Sequence, residues 1–286
     1  MKFYLQNEDS LDFIWAMKRA KEWWDWWKPL EGIVEFVDCP EADKYVCPIG
    51  SLEFVLDYYK KLGIDDLHPL NVPAVLFQFS IGYNNGSRKV DNVKAWIDEM
   101  VKNARIWRQT PLEQTEDKIK KHIWRGGMYI KSETKFKHPG NGLYGSIEDF
   151  INSPNYDPND KYQVTHFDPN ISDEWRYFVY DYKVVGMKCY VPDDILAPKV
   201  PDKEWILDKV KRIDLPAYTL DVAMSNDPNI KSPKIVEVHD FFSCGLYGFN
   251  DYSILPYMFY RSHLRKIHDY ERKKNSKGPQ GISGKP

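Results

Sequence analysis

The amino-acid sequence predicts a protein of mixed α/β and α+β class, in which a small N-terminal α/β lobe precedes antiparallel sheets. Strand and helix patterns alternate up to Gly63, whereas strand patterns dominate after Gly126 and Gly127. The runs WRYFVY and KVVGMKCY flank Asp181 and Tyr182, which is the pattern of a β-hairpin. With 286 residues, of which 42% are hydrophobic, the chain can bury a substantial core.

The N-terminal lobe combines three strands and two helices. Short apolar runs predict the strands at residues 2–6, 33–39 and 45–50. An amphipathic run over residues 11–27, preceded by capping residues, predicts the first helix. The second helix begins after Ser51 and ends at Gly63, a residue type that is favoured just beyond a helix end.

The later elements follow from the same periodicities and turn residues. Helices are predicted over residues 90–103, before Trp124, and over residues 146–152, 202–212 and 251–270. Strands are predicted at residues 127–132, 162–167, 174–191, 217–224 and 234–240. Residues 271–286 are basic and glycine-rich and are predicted to be disordered. The predicted organisation is an N-terminal lobe with a helical linker (1–125), a second region (126–270) and a tail (271–286).

The composition argues against several classes of function. A net charge of −2 gives no overall cationic field that would recruit nucleic acid, and it leaves only a local basic groove open. The four cysteines lack a C-x-x-C pair and the histidines lack zinc-ligand spacing, which predicts reduced thiols. No apolar signal region and no membrane-length apolar run is present, so we expect a soluble, cytoplasmic protein with no membrane partner.

Two acidic strand patterns predict a metal site. Asp221 closes the apolar run YTLD, and Glu237, His239 and Asp240 end the run KIVEVHD. Two such strand ends side by side would aim carboxylates at one point. Magnesium is usually held by one or two carboxylates together with substrate phosphates. The simpler alternative is a hairpin whose acids lie in solvent.

Four basic residues occupy strand or loop positions from which they could contact an anionic ligand. Lys131 ends the strand MYIKS, and Lys135 and Lys137 follow in a glycine-containing loop. Arg176 lies in a strand whose alternate residues are large and apolar, so it needs an anionic partner, for which Glu174 is one candidate. Each residue alone also has a structural explanation, as a solvated lysine or a paired arginine.

In chain order these motifs resemble the ATP-grasp fold, specifically its clade named for one arginine and two lysines. The order is strand lysine, loop lysine, E-W-R-x-F-V, Y-x-L-D-V and I-V-E-V-x-D. The segment PIGSLEFV (48–55) resembles the G-S-x-E-F-V segment of the clade, and FFSCGLY (241–247) resembles the stretch after its metal-binding glutamate. The resemblance covers residues 46–247 and implies lobes that clamp a nucleotide, with nucleotide binding and catalysis in residues 126–270.

The resemblance implies ATP and Mg²⁺ as cofactors and a role for each matched residue. Lys131 matches the lysine that contacts the nucleotide phosphates. Lys135 matches the second lysine, with Lys137 as the alternative. Arg176 matches the clade arginine near the transferred phosphate or the acyl phosphate.

Metal and base contacts are implied in the same way. Asp221 and Glu237 match the two acidic metal ligands. The strand at the position of the adenine hinge offers its backbone around Val164, Thr165 and His166 as a candidate for reading the base. Gln163 of the same strand and Glu174 beside the arginine are further candidates for nucleotide binding.

One residue departs from the family pattern. The family commonly has asparagine two residues after the glutamate, where this chain has His239, with Asp240 beside it. Histidine is a poorer ligand than an oxygen donor for magnesium. Either Asp240 substitutes, the second metal is held loosely, or the site has decayed.

The resemblance implies an ATP-dependent ligase. In this family ATP phosphorylates a carboxylate, and an amine or thiol then displaces phosphate, so the expected partners are small-molecule or peptide carboxylates and amines. One alternative is a nucleotide-binding or interaction protein on a degenerate fold, with the aromatic first helix docking a partner. Another is a phosphotransferase acting on a hydroxyl.

Overall fold

A computed structural model describes most of the chain. The described residues are 1–8, 11–27, 35–38, 41–65, 74–79, 88–90, 94–96, 98–99, 127–132, 139–166, 170–227, 232–242 and 244–276. Among them, no helix combines the length and apolar character that crossing a bilayer requires. The chain divides into two compact units, a first of residues 1–76 with 172–286, and a second of residues 77–171. The predicted boundary at residues 125 and 126 falls outside the described residues and stays a prediction.

The first unit begins with a small parallel sheet. Strands β1 (Lys2–Gln6), β2 (Glu35–Val37) and β3 (Val46–Ile49) lie in the order β2-β1-β3, and both pairs are parallel. Helices α1 (Asp12–Trp27) and α2 (Leu52–Lys61) complete the predicted order of strand, helix, strand, strand and helix. Parallel strands need a crossover connection, and α1 lies in the connection between β1 and β2.

Both ends of α2 follow from the chemistry of single residues. The Ser51 hydroxyl accepts a hydrogen bond from the Phe54 N–H at 3.2 Å, which is the predicted cap. Beyond the helix, Gly63 has a φ of +82°, and a Cβ there would lie 2.9 Å from the Tyr270 hydroxyl oxygen. Glycine suits this position because it has no Cβ and reaches positive φ without strain.

The second unit is built on an antiparallel sheet. Its strands are β4 (Arg88–Val90), β5 (Met128–Ser132), β6 (Gly142–Tyr144) and β7 (Tyr162–His166). They lie in the order β4-β7-β5-β6, and helix α3 (Ile147–Ile151) contributes Ile147 and Phe150 to the core beneath them. The sequence does not predict β4 and β6, because three residues are too few to show an alternation.

The helix predicted from about Val90 to Asn103 is described only in part. Val90 is the last residue of β4, and the described helical residues are 94–96 and 98–99. The helix predicted before Trp124 lies outside the described residues.

The first unit also contains a four-stranded sheet, which holds the acidic and arginine motifs. Strands β8 (Ile171–Tyr180), β9 (Lys183–Val191), β10 (Ala217–Ser225) and β11 (Lys234–Asp240) lie in the order β11-β10-β8-β9. The predicted hairpin of β8 and β9 is confirmed. Its turn residues Asp181 and Tyr182 have φ values of +48° and +61°, the left-handed conformations of the tight turns that match strand twist.

A single core joins both sheets of the first unit. Helices α4 (Lys203–Val210) and α5 (Leu255–Ser276) are the remaining α-helices described in this unit, and a 3-10 helix spans Ala74–Phe79 at the boundary of the two units. Phe3 of β1 and Met17 of α1 are buried in one cluster with Phe178 of β8 and Phe259 of α5. Cys47 and Cys244 are buried in the same cluster as free thiols, Cys189 is also free, and Cys39 lies outside the described residues.

The prediction of disorder from Glu271 onward is wrong for residues 271–276, because α5 runs to Ser276. Glu271 accepts a hydrogen bond from the Lys44 ammonium at 2.9 Å, and Arg272 lies 3.5 Å from Asp269. The basic residues of the last turn also interact favourably with the helix dipole. Composition alone does not reveal these contacts, and residues 277–286 lie outside the described residues.

A buried histidine of α5, His263, forms hydrogen bonds with the N-terminal lobe. His263 lies 2.9 Å from the Lys44 carbonyl through Nε2 and 2.9 Å from the Tyr59 hydroxyl through Nδ1. Since a carbonyl only accepts, Nε2 carries the proton and Nδ1 accepts from Tyr59. Burial lowers the pKa of His263 to about 4, so the folded protein holds a neutral imidazole.

Acidification should therefore destabilise the first unit through His263. The unfolded chain takes up a proton near the ordinary histidine pKa of about 6.5, whereas the folded chain does so only near 4. The contribution of His263 is complete above about pH 6.5 and falls by about 3 kcal/mol as the pH drops toward 4. Denaturant unfolding of wild type and His263→Gln across this range measures the difference. Parallel pH profiles of the two proteins would contradict this prediction.

Candidate active site

Three neighbouring strands bring Arg176, Asp221 and Glu237 together. Asp221 on β10 lies directly opposite Glu237 on β11, and β8, which carries Arg176, is the neighbour of β10. Residues opposite each other in an antiparallel pair share one face of the sheet. The predicted convergence of these acids is correct, but neither one ends its strand, because β10 and β11 continue to Ser225 and Asp240.

A bidentate ion pair forms the centre of this group. Arg176 donates from Nε to Asp221 Oδ1 at 2.8 Å and from Nη2 to Oδ2 at 2.6 Å. The side chains of Arg176 and Asp221 are 6% and 2% exposed. Glu237 Oε1 lies 3.6 Å from the same Nη2, and its side chain is 26% exposed, so Glu237 is the more accessible acid. The anionic partner that a buried strand arginine requires is therefore Asp221, not Glu174.

Two tyrosines that the sequence motifs do not indicate, Tyr190 and Tyr247, lie beside the Arg176 guanidinium. The Tyr190 and Tyr247 rings stack with centroids 4.8 Å apart, and the guanidinium carbon of Arg176 lies 4.8 Å from the Tyr247 centroid. Tyr190 donates its hydroxyl to Glu174 Oε2 at 2.7 Å and lies 3.4 Å from Asp221 Oδ2. The contacts of Tyr190 depend on the register of β9, and those of Tyr247 depend on the conformation of its loop. A single sequence reveals neither.

The Asp221 carboxylate interacts with two further carboxylates as well as with Arg176. Burial raises the pKa of Asp221 to about 6 against the opposing effect of Arg176, and the charges of Glu237 and Glu174 raise it further. A cation bound beside these carboxylates would lower the pKa of Asp221, because an opposite charge favours the ionised form.

The donor chemistry of Asp221 and Glu237 fits Mg²⁺. Both supply carboxylate oxygens from facing positions on neighbouring strands. Magnesium takes one or two such carboxylates together with phosphate oxygens, so two protein ligands suffice. Among the described residues, no three or more His, Cys, Asp or Glu side chains form a group that could hold a metal alone.

His239 and Asp240 lie on opposite sides of β11. His239 follows Glu237 by two residues and shares its face, and burial lowers the pKa of its imidazole, which is therefore neutral. Asp240 instead faces α5, where it accepts from the Ser262 hydroxyl at 2.5 Å and pairs with the Lys266 ammonium. The structure therefore does not bring Asp240 to the Asp221 and Glu237 carboxylates, since successive strand residues alternate between faces.

The lysine and hinge candidates belong to the second unit. Lys131 lies on β5 opposite Gln163 of β7, with its ammonium 5.8 Å from the Tyr129 ring centroid. Val164 is buried in the core of that unit. The side chains of Gln163, Thr165 and His166 lie outside the described part, as do Lys135 and Lys137 as whole residues. A meeting of these residues with Arg176 stays a prediction.

Residues 62–257 match the family described as ATP-grasp domain, R2K clade family 3. This chain belongs to that ATP-grasp family. The match covers Arg176, Asp221 and Glu237, so the family indicated by the sequence motifs is confirmed. No match to the chain was found among curated protein sequences.

The fold of the chain is similar to that of a solved synthetase. D-alanyl-alanine synthetase A from Vibrio cholerae aligns with a TM-score of 0.52 at 10% identity, covering 93% of this chain and 99% of that one. A RimK domain ATP-grasp protein from Sphaerobacter thermophilus aligns at 0.49 and 12% identity, covering 94% and 100%. The ATP-grasp ligase PsnB aligns at 0.44 and 9% identity, covering 91% and 97%. At these identities the first alignment supports the fold and not a shared substrate.

The position of Asp240 in this ATP-grasp protein leads to a stability prediction. Asp240→Ala would leave the buried Lys266 ammonium without its carboxylate and should lower the free energy of unfolding by about 3–5 kcal/mol. Combining it with Lys266→Met removes the unpaired charge and should restore much of this loss. Denaturant unfolding of the single and double variants measures both effects.

Asp57→Ala is a matched control, because it breaks the exposed Lys61–Asp57 pair and should cost at most about 1 kcal/mol. An Asp240→Ala protein of unchanged stability that loses magnesium-dependent nucleotide binding would contradict the structural role of Asp240. It would make Asp240 a metal ligand.

Proposed function

We propose that this protein is an ATP-dependent ligase that activates a carboxylate as an acyl phosphate and joins it to an amine or a thiol. The observation that carries the proposal is the Arg176–Asp221 pair beside Glu237, at the positions of the clade arginine and the two acidic ligands. Phosphoryl transfer depends on positioning and charge neutralisation more than on covalent help from the protein. Arg176, Asp221 and Glu237, called the Arg176 group below, supply one guanidinium and two carboxylates for such a reaction.

Each residue has a distinct role in this proposal. Asp221 and Glu237 would hold Mg²⁺, which neutralises phosphate charge when it is bound. Arg176 would orient the transferred phosphoryl group through those N–H groups of Nη1 and Nη2 that do not donate to Gly245 or Asp221. Lys131 and Lys135 would contact the nucleotide phosphates, while Gln163, Val164, Thr165 and His166 would lie along the base.

The chemistry requires two transfers. The γ-phosphoryl group of ATP moves to a carboxylate oxygen, and ADP leaves. The amine then attacks the carbonyl carbon of the acyl phosphate, inorganic phosphate leaves, and the amine releases a proton. Neither transfer needs a nucleophilic serine or cysteine of the protein. Consistent with this, Cys244 beside the site is buried in the core, and burial raises its pKa, which keeps the thiol protonated.

A nucleotide-binding protein without ligase activity is the second candidate, and His239 is the observation that favours it. A neutral imidazole occupies the face of β11 where family members commonly have an asparagine, and it offers a softer ligand to magnesium. Nucleotide binding without turnover would support this candidate.

Hydroxylamine trapping tests the ligase proposal directly. Wild-type protein with Mg·ATP, a panel of amino-acid and peptide carboxylates and hydroxylamine should form a hydroxamate and release ADP, because hydroxylamine replaces the natural amine. Glu237→Gln should lower kcat by about a hundredfold or more, because it removes one charge from the proposed metal site.

Glu204→Gln on α4 provides the matched control, because Glu204 is an exposed acid of the same unit. It should leave turnover unchanged. Stabilisation of the protein by Mg·ATP in thermal unfolding, without any hydroxamate, would favour the nucleotide-binding candidate. Wild-type turnover in Glu237→Gln would remove Glu237 from the mechanism.

A further inference from the structure

The first residue of α1 binds the loop that covers Arg176. Asp12 Oδ2 accepts hydrogen bonds from the Leu246 N–H at 2.7 Å and from the Tyr247 N–H at 3.1 Å. More than two hundred residues separate the partners, and Asp12 lies outside the segment 62–257 that matches the family. This contact therefore joins the N-terminal lobe to the segment that matches the ATP-grasp family.

The same loop contacts Arg176 in two ways. The Gly245 carbonyl accepts a hydrogen bond from Arg176 Nη1 at 2.8 Å, and the Tyr247 ring covers the guanidinium. Asp221 binds Nε and Nη2 of the same arginine. The three nitrogens of the fork are thus oriented by one strand residue and one loop, and the loop in turn is bound by Asp12.

The conformation of the loop explains why it needs an external partner. Tyr247 has a φ of +45°, a left-handed conformation that is unfavourable for a bulky side chain, and Gly248 follows with a φ of +79°. Such a backbone persists where surrounding contacts hold it. Hydrogen bonds from backbone N–H groups to a carboxylate are among the stronger contacts available.

We propose that Asp12 is a positioning residue for the reaction: it fixes the loop Gly245–Tyr247, which sets the orientation of Arg176 toward the transferred phosphoryl group. This inference rests on the proposed function of the Arg176 group. It assigns the N-terminal lobe a direct part in aligning the site, since a small displacement of an orienting group reduces the rate strongly.

Two substitutions of Asp12 test the proposal. Asp12→Ala removes the acceptor, and we expect kcat of the hydroxamate reaction to fall about tenfold or more while KM for ATP changes less. Asp12→Asn keeps an amide oxygen at the same place and should retain kcat within about threefold of wild type. Glu204→Ala, which removes an acid from the first turn of α4, controls for the loss of a helix-terminal charge and should not change kcat.

The NMR signal of the Arg176 Nε–H provides a readout that does not depend on turnover. In Asp12→Ala this signal should shift and exchange faster with solvent, whereas in Asp12→Asn and Glu204→Ala it should stay as in wild type. An unchanged kcat and an unchanged Arg176 signal in Asp12→Ala would overturn the proposal. Equal losses of kcat in the alanine and asparagine variants, with the signal unmoved, would also overturn it.

The NMR measurement also separates the two proposals. A wild-type protein that shows no turnover would refute the ligase function, while the Arg176 signal in Asp12→Ala would still decide whether Asp12 orients the arginine.

Discussion

The buried pair of Arg176 and Asp221 is the interaction on which the candidate site depends. Two short hydrogen bonds join the guanidinium and the carboxylate inside the sheet, where neither charge is solvated. Burying such a pair contributes little net stability, because desolvation offsets the attraction, whereas removing one partner is strongly destabilising. The pair therefore adds little to the stability of the sheet, but it fixes the positions of the two charges. Fixed charge geometry is what phosphoryl transfer uses.

Neighbouring side chains determine which parts of the Arg176–Asp221 pair are accessible. Glu237 lies opposite Asp221 and is the more accessible acid. The Tyr247 ring lies over the guanidinium and stacks on the Tyr190 ring. On the other face of β11, Asp240 and Lys266 bind the strand to α5. One strand thus contributes an acid to the site from one face and an anchoring acid to the core from the other.

The sequence predicts the fold and the centre of the site well, for identifiable physical reasons. Strand β11 is predictable because three β-branched apolar residues lie within four positions, Ile235, Val236 and Val238. The hairpin of β8 and β9 is predictable because a turn of Asp181 and Tyr182 separates two strand-forming runs. The short strands β4 and β6 contain too few residues for a pattern. The extension of α5 past residue 270 depends on ion pairs that composition does not encode.

The remaining errors concern which face a residue takes and which partner it has. Asp240 has the right chemistry for magnesium but lies on the face opposite Glu237. Glu174 is close to Arg176 in sequence, yet it accepts from Tyr190 instead. The contact of Asp12 with Leu246 and Tyr247 joins segments that lie more than two hundred residues apart in the sequence. Such relationships appear only once strand register and loop conformation are known.

A crystal structure of the protein with Mg²⁺ and a non-hydrolysable ATP analogue tests the central claim most directly. The account predicts a magnesium ion coordinated by oxygens of Asp221 and Glu237 at about 2.0–2.1 Å, with a phosphate oxygen within hydrogen-bonding distance of Arg176. A nucleotide bound elsewhere on the protein, with no phosphate oxygen near Arg176 and no metal at Asp221 or Glu237, would contradict it.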